Sequence, residues 1–254
     1  MINLVDFTGK KIVVAGASSG IGQASAVTLS RLWGQMILVA RREDKLNETL
    51  GMLEGSGHRY YCADLSNTDV IDGLIGEIVQ DCGAIDGLVY SAGVSTARPL
   101  KQLTPEILRD VFAVNYFGFI ETVRQLTRKG RFNPGMRIVA VSSIASKCGD
   151  GGHVAYSGSK AAVDGSVRCI AKELAAKGIC INTVAPALTR TAMFEGYIAK
   201  YGEDSESYSG LLRRQYLGIV EVQHVANAIA FLMSSAAKFI TGICMPVDGG
   251  YTSC

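Results

Sequence analysis

The sequence predicts an α/β protein in which one doubly wound parallel sheet of about seven strands carries helices on both faces. Short, wholly apolar runs of strand length alternate with longer stretches whose apolar residues recur at helical spacing. Glycine makes up 29 of the 254 residues, about 11% against a usual ~7%, with no repeat period, so it belongs to tight turns and to backbone lying close to a ligand. No linker or low-complexity stretch divides the chain, and a 48% hydrophobic composition can bury one large core. A single domain over 1–254 is expected.

The elements follow in order. Lys11–Ala15 reads as a buried strand and Ile21–Trp33 as a helix; Met36–Ala40 is the second strand and Glu43–Leu53 the second helix. A strand at Tyr60–Ala63, a helix at Asp69–Cys82 and a strand at Gly87–Tyr90 continue the alternation. Thr104–Thr127 predicts one long helix, with Thr104 as cap and Pro105 at its first position, where the missing N–H costs nothing. Arg137–Ser142 is a strand, Val154–Lys177 a helix stopped by Gly178, and Ile179–Ala185 a strand; a helix at Val222–Ser234 and a short strand at Cys244–Val247 close the pattern. Residues Ala192–Tyr216 break it. With Gly196, Gly202, Gly210 and a polar Glu203–Ser209 run, they read as an inserted flap, a lid over a substrate site.

Charge and cysteine usage narrow the function. With 25 basic against 23 acidic residues and no basic block, neither nucleic acid nor an anionic membrane surface is the expected partner. No apolar run reaches the ~20 residues of a membrane span, and the stretch from Met1 to Lys11 lacks the order of a signal peptide. The seven cysteines (Cys62, Cys82, Cys148, Cys169, Cys180, Cys244, Cys254) are scattered and odd in number, as free thiols in a reducing cytoplasm would be. His58, His153 and His224 have no metal-site spacing, so no metal is expected.

Two motifs carry chemistry. After the first strand, Gly16-Ala17-Ser18-Ser19-Gly20-Ile21-Gly22 supplies a tight turn at a helix N-terminus, where exposed N–H groups can receive a pyrophosphate. In Tyr156-Ser157-Gly158-Ser159-Lys160, helical geometry puts the phenol and the ammonium on one face. A cation beside a phenol favours phenolate, which predicts a tyrosine below its usual pKa of about 10 and able to exchange a proton near neutrality.

With Ser143 thirteen positions before Tyr156, and Asn115 in the long helix, the chain resembles the short-chain dehydrogenase/reductase family from Gly16 to Val247-Asp248-Gly249-Gly250. Within it the chain looks most like the 3-oxoacyl-acyl-carrier-protein reductases of fatty acid biosynthesis. The resemblance implies a Rossmann-type fold and a catalytic set of Asn115, Ser143, Tyr156 and Lys160. Tyr156 would be the general acid, and Ser143 would hold the substrate carbonyl oxygen. Lys160 would hold the nicotinamide ribose, and Asn115 would position a water that feeds it protons. Ser142 competes with Ser143, but the family's spacing selects the latter.

The cofactor site implied by the resemblance begins with Gly16, Ser18, Ser19, Gly20, Ile21 and Gly22. It adds Asp64 and Leu65 at the adenine, the backbone of Ser91, Ala92 and Gly93, and Tyr156 and Lys160 at the ribose. It ends with Pro186, Ala187, Thr189 and Thr191 towards the carboxamide. Two departures stand out: Tyr90-Ser91 replaces an Asn-Asn pair that braces the adenine site, and Ala187 replaces a glycine. The second strand ends Val39-Ala40-Arg41-Arg42 with no acid before Glu43. Two guanidiniums there suit the 2′-phosphate of NADP(H).

An NADPH-dependent reductase making a secondary alcohol from a ketone is the expectation, with a 3-oxoacyl thioester as substrate. A sugar, polyol, steroid-like or other secondary alcohol is the alternative. A non-catalytic dinucleotide-binding regulator is the reading from a different class. Lys129, Arg131 and Lys177 are the basic residues available to an acidic carrier protein, and His153 is a candidate for the pocket wall. A homotetramer is expected, because Val163, Val167, Ile170 and Leu174 give the Val154–Lys177 helix more apolar surface than one core-facing stripe needs.

Overall fold

Seven parallel strands lie side by side, β1 (Lys11–Ala15), β2 (Gln35–Ala40), β3 (Arg59–Cys62), β4 (Ile85–Tyr90), β5 (Phe132–Val141), β6 (Cys180–Pro186) and, last in the chain, Cys244–Val247. The computed structural model describes residues 5–202 and 206–253; Cys254 and positions 203–205 of the polar run lie outside them, as does the side chain of Tyr197. The strand order is 3-2-1-4-5-6 followed by the Cys244–Val247 strand. The chain therefore reverses direction across the sheet between β1 and β4, and the crevice at their carboxyl ends is where such sheets bind ligands.

Successive strand residues serve opposite faces of the sheet. On β1, Val13 and Ala15 join one core with Ile71, Ile75, Ile78, Phe119, Val163 and Val167, while Ile12 and Val14 join the other with Ala26, Leu29, Leu46, Val225 and Ile229. The first core is roofed by α3 (Ile71–Cys82), α5 (Gly118–Leu126) and α6 (Val154–Leu174), with α4 (Pro105–Phe112) against α6, and the second by α1 (Gly20–Arg31), α2 (Glu43–Leu50) and a C-terminal helix, Val222–Met233. This is the predicted α/β architecture, with its seven-stranded parallel sheet covered on both sides.

Three details differ from the sequence reading. The long helix begins at Thr104, whose hydroxyl accepts from Ile107 N at 3.4 Å, but Ala113–Phe117 widens into a π turn between α4 and α5. Strand β5 starts at Phe132, before Pro134 and Gly135, and a bulge against β4 absorbs the irregularity. The four residues expected to give α6 a surplus do not: Val163, Val167 and Leu174 are buried in the core and Ile170 packs against it, while Val154 at the start of the helix is exposed. Apolar side chains are exposed elsewhere, at Phe117, Leu217, Phe239 and Ile243.

The flap contains two helices, α7 (Ala192–Tyr201) and α8 (Glu206–Arg214). Its root is clamped by a two-stranded parallel pair, β7 (Thr189–Arg190) and β8 (Val220–Glu221); with these, the C-terminal helix is α9 and the Cys244–Val247 strand is β9. Arg190 Nε meets Glu221 Oε1 at 2.9 Å, and the Gln215 amide donates to Leu188 O at 3.0 Å and Gly218 O at 2.7 Å. Six cysteines, from Cys62 to Cys244, are free thiols. Among the described residues no helix is long and apolar enough to cross a membrane, and no group of three or more His, Cys, Asp or Glu side chains forms a metal site.

Candidate active site

The turn after β1 is built for close backbone approach. Gly16 has φ +83°, and a Cβ there would come within 2.5 Å of the Ala92 nitrogen; a Cβ on Gly22 would collide with the Gly16 carbonyl oxygen. Ser91 N donates to Ala15 O at 2.8 Å, which joins the two sides of the crevice. Ser19 precedes α1 in an extended conformation, its side chain does not cap the helix, and no acid occupies the first turn. The helix N–H groups of Ile21, Gly22 and their neighbours therefore present a positive end to the crevice. That cradle fits the pyrophosphate of a dinucleotide.

Next to it, β5, α6 and the π turn bring the four candidate catalytic residues together. Ser142 is buried, its N–H bonded to Val184 O at 2.7 Å and its hydroxyl directed at Lys160 O at 3.5 Å. Ser143 is the more open serine; its hydroxyl accepts from Ala145 N at 3.1 Å. Tyr156 lies in the first turn of α6 and Lys160 one turn on, with Nζ 5.8 Å from the tyrosine ring centre. Lys160 is 5% exposed, and its ammonium donates to Val141 O at 2.8 Å.

Asn115, 1% exposed, holds the fourth corner. Its Nδ2 donates to Val94 O and Ser159 Oγ, both at 2.9 Å, and its Oδ1 accepts from Val94 N at 2.8 Å. Gly93 closes the group: a Cβ there would lie 3.2 Å from Asn115 Oδ1 and 3.3 Å from Lys160 Nζ.

The electrostatics correct the expected tyrosine pKa. Burial pushes the Tyr156 phenol above its ordinary value, and the Ser143 hydroxyl offsets only part of this. Burial also lowers the Lys160 ammonium to about 8, with the nearby Asp164 carboxylate opposing it. A desolvated lysine several ångströms from the ring does not outweigh the cost of a buried phenolate. In the free chain Tyr156 is a proton donor held in its acid form.

At the far end of the crevice Arg42 Nη2 reaches Ser18 Oγ at 3.3 Å, and Arg41 Nη1 stands 4.0 Å from Asp64 Oδ2. Glu43, the first acid after β2, accepts the Tyr60 hydroxyl at 2.9 Å. Leu65 is buried, and its carbonyl backs onto Gly118. Tyr90, read from the sequence as the loss of a brace, is itself one: its buried hydroxyl donates to Val114 O at 2.7 Å.

At the end of β6 Pro186 is buried, and just beyond it Ala187 N bonds to Val247 O at 3.3 Å. Thr189 is turned inward, donating to Ala187 O at 2.8 Å, so its side chain is not part of the crevice. Thr191 is: its methyl lies 3.5 Å from where a Cβ on Gly20 would stand. From there α7 begins, with Met193 exposed and Phe194 buried between Arg190 and Tyr208.

A glycine cradle at the reversal point of a doubly wound sheet, beside a Ser–Tyr–Lys–Asn cluster, defines a nicotinamide-dependent oxidoreductase acting between secondary alcohols and ketones. The chain belongs to the short-chain dehydrogenase/reductase family. A family model described as enoyl-(acyl carrier protein) reductase matches residues 16–252. Relatives include glucose 1-dehydrogenase of Gluconobacter oxydans (strain 621H), 34% identical over 254 residues, covering 97% of this chain and 93% of that one. L-xylulose reductase of Caenorhabditis elegans is 32% identical and covers 98% of each. The 3-oxoacyl-[acyl-carrier-protein] reductase of Escherichia coli (strain K12) is 29% identical, covering 97% and 98%. A solved dehydrogenase/reductase from Sinorhizobium meliloti 1021 superposes with a TM-score of 0.89 at 29% identity, over 98% of this chain and 97% of that one.

Proposed function

We propose that this chain is an NADPH-dependent reductase of small ketones, forming a single domain whose residues 192–216 act as a lid. The observation that carries the reading is a half-buried Tyr156 in the first turn of α6, with Lys160 Nζ 5.8 Å from its ring centre and Ser143 at the end of β5, next to a cradle that fits a dinucleotide. The bound nicotinamide supplies a hydride to the substrate carbon. Ser143 donates a hydrogen bond to the carbonyl oxygen and steadies the charge that develops there. Tyr156 delivers the proton to the same oxygen. Lys160 holds the ribose hydroxyls and replaces the tyrosine proton. Asn115 has one acceptor position left on Oδ1, the place for a water that feeds Lys160.

Between the 3-oxoacyl thioester and the sugar-type alternative, the reading favours a free ketone of sugar type. Of the basic residues available for an acidic carrier, Arg131 is paired with Asp72 at 2.8 Å, and Lys177 donates to Thr127 O at 3.1 Å over the Phe132 ring. Glucose 1-dehydrogenase and L-xylulose reductase are also more similar than the 3-oxoacyl reductase. The test is NADPH oxidation with a panel of ketoses, cyclic ketones and acetoacetyl thioesters. Turnover led by a ketose or cyclic ketone is expected. Turnover confined to the thioesters would restore the carrier-linked reading, and NADPH binding with no turnover would mark a regulator.

Preference for NADPH follows from charge: Arg41 and Arg42 flank the ribose end while Glu43 is engaged by Tyr60. The ratio of kcat/KM for NADPH over NADH is expected to exceed one and to fall by ten-fold or more in the Arg41→Ala/Arg42→Ala variant, since each charge-assisted bond contributes about 1.5–3 kcal/mol. A native preference for NADH would refute the assignment.

Family members are commonly oligomeric, and a homotetramer is proposed here, now resting on exposed Phe117 and Val154 and on Phe239 and Ile243 near the β9 edge. Light scattering at micromolar concentration is expected to give four times 27.0 kDa; a 27.0 kDa species would contradict it. The lid prediction follows from the clamped root. Amides of α7 and α8 exchange quickly in the free protein and slow with NADPH and ketone, while β7 and β8 stay protected in both. Slow exchange throughout would make the flap fixed structure, as the burial of Phe194 alone would suggest.

A further inference from the structure

We propose that Tyr90 is a positioning residue for the reaction, its hydroxyl fixing the wide helical turn that presents Asn115 beside Lys160. The inference rests on the reading of Asn115 and Lys160 given above. It starts from the hydrogen bonds of the π turn. In an α-helix the Gly118 N–H would bond to Val114 O; here it closes onto Ala113 O, one residue further back. Val114 O thereby loses its α-helical partner, and the Tyr90 hydroxyl takes that place at 2.7 Å. Asn115 is the next residue.

The surroundings suit one purpose. Tyr90 is the last residue of β4, 2% exposed, with its ring edge-on to Phe119 at 5.4 Å between centres. The sheet and core hold the ring, so the hydroxyl is placed as rigidly as the strand. A Cβ on residue 118 would come within 2.7 Å of the Tyr90 oxygen, so glycine there leaves the room the bond requires. Burial holds the phenol far above its ordinary pKa, so it remains a neutral donor at every working pH. Beyond the turn, Asn115 spans the Val94 backbone and Ser159, and so ties the crevice loop to the helix that carries Tyr156 and Lys160. Without the Tyr90 hydroxyl, Gly118 N–H can return to Val114 O, and an ordinary α turn carries Asn115 off these partners.

A double-mutant cycle tests this, using Tyr90→Phe, Asn115→Ala and the pair, with NADPH and the best ketone of the panel. Tyr90→Phe is expected to lower kcat about three- to ten-fold, the reach of one hydrogen bond, with KM for NADPH within about two-fold. In the Asn115→Ala background it should cost nothing further, because residues acting through one another are not additive. Amide exchange at 113–118 should quicken in Tyr90→Phe while β4 is unchanged. Tyr90→Met, which also lacks the hydroxyl, serves as a second variant if the phenylalanine form is unstable. An equal loss in both backgrounds, or unchanged kcat in Tyr90→Phe, overturns the role of Tyr90 and leaves Asn115 standing. Wild-type turnover in Asn115→Ala overturns the reading of Asn115 and this inference with it.

Discussion

Tyr156→Phe lowers ketone turnover by about 10²–10⁴-fold, the usual contribution of a positioned acid, while NADPH binds within a few-fold of the native affinity. The ring stays in the first turn of α6, and Lys160 keeps its bond to Val141 O, so the ribose subsite survives. What is lost is the proton. Burial keeps the phenol above its ordinary pKa, so the native residue is in its donor form across neutral pH, and Ser143 cannot replace it because an aliphatic hydroxyl is a far weaker acid than a phenol. Single-turnover absorbance at 340 nm and NADPH fluorescence titration separate the two effects. A folded phenylalanine variant with native turnover would remove Tyr156 from the chemistry.

Lys160→Met is the second large effect, and it acts on activity and stability in opposite directions. Turnover falls by orders of magnitude, since the ribose contact and the proton supply to Tyr156 are removed together. Stability at pH 7 rises. Burial lowers the Lys160 ammonium from 10.5 to about 8, so below about pH 8 the folded chain carries the full cost of a buried charge. Above 10.5 the lysine is neutral in both states and the cost is gone. Between these values the unfolded chain binds more protons, so the lysine's penalty shrinks as pH rises. At about 1.4 kcal/mol per pKa unit the penalty is roughly 3 kcal/mol, offset by about 1 kcal/mol for the lost bond to Val141 O. Denaturant melts at pH 7 and pH 10 check the sign: the methionine variant leads at pH 7 and the gap narrows by pH 10. A gap that widened with pH would mean that Lys160 is not a strained buried cation.

The sheet was legible because its strands are apolar throughout, and such runs between helical patterns have few other solutions. The glycine turn and the Tyr156/Lys160 spacing were legible for a similar reason, since each encodes a geometry within a single element. What the sequence hid depends on contacts between elements. One widened turn leaves the apolar pattern of Thr104–Thr127 intact, so nothing marked residues 113–117. Tyr90 read as a missing asparagine because its partner, Val114 O, is a backbone atom on another element. Pro134 and Gly135 concealed the start of β5, which only a bulge allows. Val163, Val167, Ile170 and Leu174 of α6 were assigned to a second surface, whereas the core beneath takes all four. The tyrosine pKa went the other way because proximity to a cation was weighed without desolvation, which dominates at this depth.

The central claim is hydride delivery to a ketone carbon with Tyr156 supplying the proton. Its most direct test is the product formed with NADPH dideuterated at the nicotinamide C4. One deuterium on the carbinol carbon is predicted, with solvent hydrogen only on the hydroxyl, and far less labelled product from Tyr156→Phe in the same time. Hydrogen from solvent on the carbinol carbon, or NADPH consumed without any alcohol formed, would contradict the account.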